Sequence, residues 1–215
     1  MIVMKNRDNI KLYDEITQHL IMDDVPSQYL DQLSKSPVFK EYPLKMLHEL
    51  IKTEQSPKYH PEGNVWNHTM LVVDEASKVR HKSNDERVFM WSALLHDIGK
   101  PDTTRMRKGR ITSYGHDKVG GKLSIDFLDF YTDDRKFKQK VSALVRYHMH
   151  MLYVLNNLPF ADIKNLLREV DIDDMALLSK CDRLGRTGAN IKDEEASYQE
   201  YLNKLKIARE KALPI

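Results

Sequence analysis

The sequence predicts an all-α protein, a single helical bundle. Three observations carry that expectation. Apolar residues recur at three- and four-residue spacing in nearly every segment. Runs with strand-like alternation are few. The eight glycines and eight prolines fall in clusters that divide the helical pattern. The length, 215 residues, suffices for one sizeable core.

In chain order, residues 9–22 place Ile10, Tyr13, Ile16 and Leu20 on one stripe. Pro26 opens a short segment with Tyr29, Leu30 and Leu33, and Pro37 ends it. Leu44, Leu47, Leu50 and Ile51 mark a helix over 43–53, followed by the loop SPKYHPEGN. Residues 64–80 read as a helix with Asn64 as N-cap. Residues 84–98 read as another, capped by Asn84 or Asp85, with Gly99 at C′ and Pro101 just beyond. Residues 102–115 form a basic loop in which a hairpin at KGR is one option. Helices are expected over 116–131 and 134–155, from Pro159 through Arg168, and from Asp171 or Asp173 to a stop at Gly185. A charged amphipathic helix closes the chain. By this pattern the bundle holds roughly eight to ten helices. As one globular unit it divides into an N-terminal helical extension (1–56), a core (57–190) and a C-terminal amphipathic helix (191–215).

Composition narrows the function classes. Lys and Arg total 34, Asp and Glu 32, and the formal net charge is +2. That balance argues against an extensive nucleic-acid or membrane surface. One cysteine, Cys181, excludes an internal disulfide and fits a reducing compartment. No apolar run reaches membrane-spanning length. The N-terminus, with Lys5, Arg7 and Asp8, lacks the apolar stretch of a signal peptide. A cytoplasmic protein is expected.

The chemistry-bearing residues are histidines and aspartates. His68 shares a helical face with Val72 and Val79. His96 and Asp97 follow Leu94 and Leu95 at a helix end. His116 opens a helix after Gly115, and His148 follows Leu144 and Val145. Asp182 stands one turn after Leu178. Each histidine alone reads more readily as a hydrogen-bonded core residue than as a ligand, and Asp182 alone as a carboxylate paired with Arg183 or Arg186. Together they offer imidazoles and carboxylates from several helices, and no thiolate. That donor set suits Mn, Fe, Co, Ni or Zn.

These residues carry a resemblance. His68, the doublet His96-Asp97 within LLHDIGK, and Asp182 within KCDRLGR resemble the HD-domain phosphohydrolase superfamily. More narrowly, YHPEGNVWNHTMLVVDEA, ALLHDIGKP, GHDKVGGKL, LVRYHM and KCDRLGR are similar to the HD domain attached to some bacterial tRNA nucleotidyltransferases, the CCA-adding enzymes. The likeness runs from about Pro57 to Arg186. It does not include the nucleotidyltransferase head, whose motifs the first 56 residues do not carry, so a free-standing phosphohydrolase is expected.

The resemblance implies that His68, His96, Asp97 and Asp182 bind metal and that His116 and His148 add a second ion, with Asp97 between the two. The ions would be divalent transition metals (Fe, Mn, Co or Ni, with Mg and Zn as options). Metal-activated water would attack phosphorus, with Asp97 and Lys100 as the catalytic pair. Lys100 matches a lysine that contacts phosphate. Arg105, in the basic run 105–110, and Arg146, Arg186 and His60 are the other substrate-binding candidates. Tyr59, Glu62 and Asn64 lie in the same loop as His60, where capping is the competing role. The implied substrate is a nucleotide or an RNA-terminal phosphate, of the 2′,3′-cyclic phosphodiester or nucleoside monophosphate type. The alternative is a catalytically idle HD-type module that binds metal or nucleotide as a sensor or interaction domain. A nuclease subunit of an RNA-repair assembly is a third reading, resting on the basic run. The sequence leaves the oligomeric state open.

Overall fold

The computed structural model describes residues 7–212; the expectation for the charged N-terminus falls partly outside them. Twelve helices and one small hairpin appear among the described residues. They are α1 (Arg7–Met22), α2 (Ser27–Ser34), α3 (Lys45–Ile51), α4 (Val65–Ser77), α5 (Glu86–Leu95), α6 (Lys100–Thr103), β1 (Arg105–Arg107), β2 (Arg110–Thr112), α7 (His116–Asp129), α8 (Arg135–Tyr147), α9 (His150–Leu155), α10 (Ile163–Glu169), α11 (Ile172–Leu184) and α12 (Ile191–Ala212). The fold is all-α. No described helix is long and apolar enough to cross a membrane.

The centre is α5. Every residue from Val88 to Leu95 is buried, so this helix has no solvent face and must be surrounded. It packs against α1, α4, α8 and α11. On the α1 side, Tyr13 stacks on Trp91 at 5.2 Å between ring centroids, and the Trp91 indole donates to Thr17 Oγ1 at 3.1 Å. Trp66 is core, donating to Asp31 Oδ1 at 2.9 Å beside Phe39. On the far side α12 lies on α11 through Tyr201, Leu202 and Leu205. Ion pairs from Lys180 to Glu195 and from Arg183 to Glu194 hold its start.

Side chains start the helices as the sequence suggests. Asn64 accepts from Asn67 N, Asp85 from Val88 N, and Asp171 from both Asp173 N and Asp174 N. Each satisfies donors that the first turn leaves open. Other boundaries differ from expectation. Pro159 lies in a loop, and α10 begins after Asp162, which caps Asn165 N. The span 134–155 is two helices. At the break, Ser179 Oγ donates to the His148 carbonyl and ties the turn to α11. The basic loop holds an antiparallel hairpin with Met106 opposite Ile111. Its two turn residues, Lys108 and Gly109, both have positive φ, 48° and 72°. That is the backbone a two-residue hairpin turn demands.

The expected helix over 84–98 ends earlier, at Leu95, and Gly99 is not a left-handed C′ residue. Its φ is −83°. Glycine is needed here for contact. A Cβ on Gly99 would lie 2.2 Å from the His116 carbonyl oxygen and 2.6 Å from Gly120 N. Gly185 has φ −67° and the same requirement, since a Cβ would come within 2.5 Å of Val72 Cγ2. Gly120 and Gly121 bring α7 onto α8, where added methyls would meet Val145 and Arg146. These approaches draw the turn after α5, the start of α7 and the end of α8 together.

Gly99→Ala forces backbone apart at that junction. Overpacking of this kind costs about 1–3 kcal/mol, or roughly 2–12 °C in Tm for a chain of this size. Thermal melting followed by circular dichroism checks it; a Tm within one degree of the parent would show that the junction yields without cost.

Candidate metal centre

Five elements converge on one buried spot. Asp97 is at its middle, in the turn after α5 and 1% exposed. His96 caps the same helix end, and His148 occupies the equivalent position after α8. His116 is the first residue of α7, His68 lies in the first turns of α4, and Asp182 lies near the end of α11. Three trios among the described residues have ligand atoms within 4.8 Å of one another: His68, His96 and Asp182; Asp97, His116 and His148; and, at the edge, His60, Glu62 and His68. All six side chains of the predicted ligand set are therefore brought together.

Hydrogen bonds fix how three of the rings face. His96, His116 and His148 each place Nδ1 on the carbonyl three residues earlier, that of Ala93, Ser113 and Val145, at 2.8, 2.7 and 2.6 Å. Those carbonyls can only accept, so each Nδ1 carries the proton and each Nε2 presents a lone pair inward. His116 Nε2 and His148 Nε2 then face each other at 3.1 Å. Burial lowers the pKa of both, that of His116 to about 4 against the opposing pull of Asp97. Two neutral imidazoles with opposed lone pairs repel. A cation between them and Asp97 Oδ1, at 3.4 and 3.8 Å from the two rings, removes the conflict. His96 Nε2 and Asp97 Oδ1 are also buried without a hydrogen bond. Such orphaned groups are expensive unless a ligand claims them. The residues fit a divalent metal site.

Asp97 is held as an anion. Burial favours its neutral form, but the Lys100 ammonium leads the charges that pull its pKa well below the usual carboxylate range. Lys100 Nζ sits 2.7 Å from Asp97 Oδ2 and makes a short hydrogen bond to Gln55 Oε1. Gln55, buried in the loop before α4, is a positioning residue that the sequence gave no reason to single out.

His68 is oriented differently. Nε2 lies 3.0 Å from Asp182 Oδ1, and Nδ1 lies 2.9 Å from Glu62 Oε1. Burial lowers its pKa, but the two carboxylates outweigh that and raise it. Glu62 also takes His60 Nδ1 at 2.9 Å and the Thr187 amide at 3.3 Å. It joins the loop before α4 to the turn after α11. The sequence hinted at substrate contact or capping for Glu62; the structure makes it the support of His68. Asn64 is spent on its cap.

The other candidates divide. Half-buried His60 has its ring 4.7 Å from that of His68, at the edge of the cluster. Arg186 reaches Asp182 Oδ2 at 3.7 Å, and its Nε is buried without a hydrogen bond. Despite burial, Arg186 first and then His68 hold Asp182 well below the usual carboxylate range. Arg183, the other expected partner of Asp182, turns away to Glu194. Arg146 is exposed and lies over the Tyr147 ring. Arg105 is exposed on β1 with its guanidinium on the Thr104 carbonyl. His150 is buried outside the site and accepts from the Asp162 amide.

Comparison with known proteins agrees with this geometry. The sequence model described as "HD domain" matches residues 65–186, more than half of the chain. Curated relatives are each named "Multifunctional CCA protein". That of Actinobacillus pleuropneumoniae serotype 5b is 25% identical over 138 residues, 62% of this chain and 32% of the relative. That of Mannheimia succiniciproducens is 25% identical over 169 residues, 74% of this chain and 39% of the relative. That of Methylobacillus flagellatus is 25% identical over 185 residues, 83% of this chain and 43% of the relative. The chain thus matches less than half the length of these relatives.

Glu62→Gln keeps the shape beside His68 and removes the charge. Partners behind a ligating histidine typically contribute 10–100-fold to metal affinity. Calorimetric titration of Mn²⁺ into the metal-stripped variant is expected to show at least a roughly tenfold loss. Equal affinity would mean that Glu62 does not support the site.

Proposed function

The chain belongs to the HD domain family, a family of metal-dependent phosphohydrolases, and on that premise we propose that it hydrolyses a phosphoester of a nucleotide or an RNA-terminal phosphate. The observation that carries this reading is the pair of opposed Nε2 atoms of His116 and His148, 3.1 Å apart beside Asp97, with the Lys100 ammonium 2.7 Å from the same carboxylate. Cation-seeking lone pairs next to a fixed positive charge make a seat for a phosphate.

In this reading His68, His96 and Asp182 would hold one divalent ion, and Asp97, which lies between the two groups, would help His116 and His148 to hold another. Bound ions of this kind lower the pKa of water towards ~7 and offset the charge of phosphate oxygens. The chain's own groups do the rest. Lys100, braced by Gln55, meets a non-bridging oxygen with a full charge in a site where water is scarce. Arg186 fixes Asp182 and keeps an unpaired N–H for the substrate's outer oxygens. His60, anchored by Glu62 with its ring 4.7 Å from that of His68, would meet the substrate at the edge of the cluster. The relatives' name, "Multifunctional CCA protein", supports a substrate related to nucleotides or RNA ends. The single buried cysteine supports a cytoplasmic setting.

Asp97→Ala tests the reading. It removes the carboxylate that both ion positions share, and hydrolysis of 2′,3′-cyclic nucleotides and nucleoside monophosphates should fall by at least ~100- to 1,000-fold. The variant should lose metal by elemental analysis and keep its helical dichroism. Undiminished turnover would reject the site.

A further inference from the structure

The hairpin β1–β2 is the one β element among the described residues, and it is built from unbalanced charge. From Thr103 to His116 the sequence holds Arg105, Arg107, Lys108 and Arg110 and no acidic residue. The register sets Arg105 opposite Thr112 and Arg107 opposite Arg110. Paired and alternate residues share a face, so three guanidinium groups stand on one side of a two-stranded ribbon. Like charges directly opposite destabilise a strand pair. Nothing described relieves them: Arg105 donates to the Thr104 carbonyl, and Arg107 lies 5.4 Å over the ring of Tyr114. Tyr114 is itself 72% exposed and Met106 68% exposed.

The position of this ribbon gives the charge a direction. It leaves from α6, whose first residue is Lys100, and returns to α7, whose first residue is His116. Thr104 Oγ1 and Ser113 Oγ close its base at 2.7 Å, and the Ser113 carbonyl holds the His116 ring. A ligand lying along the hairpin therefore runs into the metal centre. Arg105 and Arg107 are roughly 6–7 Å apart along the strand, comparable to successive phosphates of an extended single strand. A lone aromatic face beside arginines suits base stacking.

We propose that the hairpin is a clamp for single-stranded polynucleotide, so that the substrate is the phosphorylated or cyclised end of an RNA strand and not a free mononucleotide. This rests on the phosphohydrolase reading for its chemistry, and on charge, register and position for the partner. The near-zero net charge of the whole chain confines the contact to the nucleotides nearest the end.

The test uses the full chain with two probes, cytidine 2′,3′-cyclic phosphate and a short single-stranded oligoribonucleotide ending in the same group. The ratio of kcat/KM, oligonucleotide over mononucleotide, is expected to be about tenfold or more and to fall towards one in Arg107→Ala/Arg110→Ala and in Tyr114→Ala. Anisotropy of the labelled oligonucleotide on metal-stripped protein gives a readout independent of turnover. Losing two phosphate contacts should make the salt dependence of binding shallower by about 1.4 in log–log slope, and Arg107→Lys/Arg110→Lys should restore most of it. Equal kcat/KM for both probes, or binding that the alanine variants do not weaken, would overturn the clamp. Salt-dependent binding lost in the variants, with no hydrolysis of either probe, would uphold the clamp and reject the phosphohydrolase reading.

Discussion

The structure is organised around a carboxylate in the wrong place. Asp97 is sealed from solvent at the end of the most apolar helix of the protein, and a lone buried anion there would cost several kcal/mol. It stays ionised chiefly because the Lys100 ammonium sits 2.7 Å from its Oδ2. Lys100, His96 and His116 each need a backbone to carry them within a few ångströms. The glycines at 99 and 120 are the positions where backbone meets backbone so that α5, α7 and α8 can do this. The packing of the bundle and the composition of the site are therefore one constraint.

The two halves of the cluster are supported in different ways. His96, His116 and His148 lean on neutral carbonyls of their own helix ends. His68 leans on Glu62, a carboxylate from a loop that also reaches the turn after Asp182. The His68–His96–Asp182 trio thus has an extra negative charge behind it, while the Asp97–His116–His148 trio has the ammonium of Lys100 in front. A phosphate approaching from the Lys100 side meets positive charge first, and the hairpin continues that charge outward.

Much of this was legible in the sequence. Helical periodicity, the caps at Asn64, Asp85 and Asp171, and a ligand set spread over separate helices all follow from local chemistry. What was not legible depends on tertiary contact. Gly99 and Gly185 look like chain-terminating glycines, and only the proximity of α7 and of Val72 shows that they are contact glycines. At the break after Tyr147 the His148 carbonyl lies 3.3 Å from Ser179 Oγ on a distant helix, a neighbour that local spacing cannot show. Gln55 and Glu62 sit in a loop without periodicity, so no spacing rule could point from them to Lys100 or His68. Arg183 and Arg186 are three residues apart in one segment, yet one faces α12 and the other the site. Arg105 lies on the hairpin, whose register puts it on one face with Arg107 and Arg110, a pairing that periodicity could not show.

The claim at the centre is that the opposed imidazoles and the buried aspartate exist to hold cations. Metal content of the purified protein, measured by plasma mass spectrometry after exhaustive dialysis, tests it most directly. The account predicts about two divalent ions per chain, released by a strong chelator and taken up again from Mn²⁺ or Fe²⁺. A protein that stays folded, carries no metal and takes none up on reconstitution would contradict it.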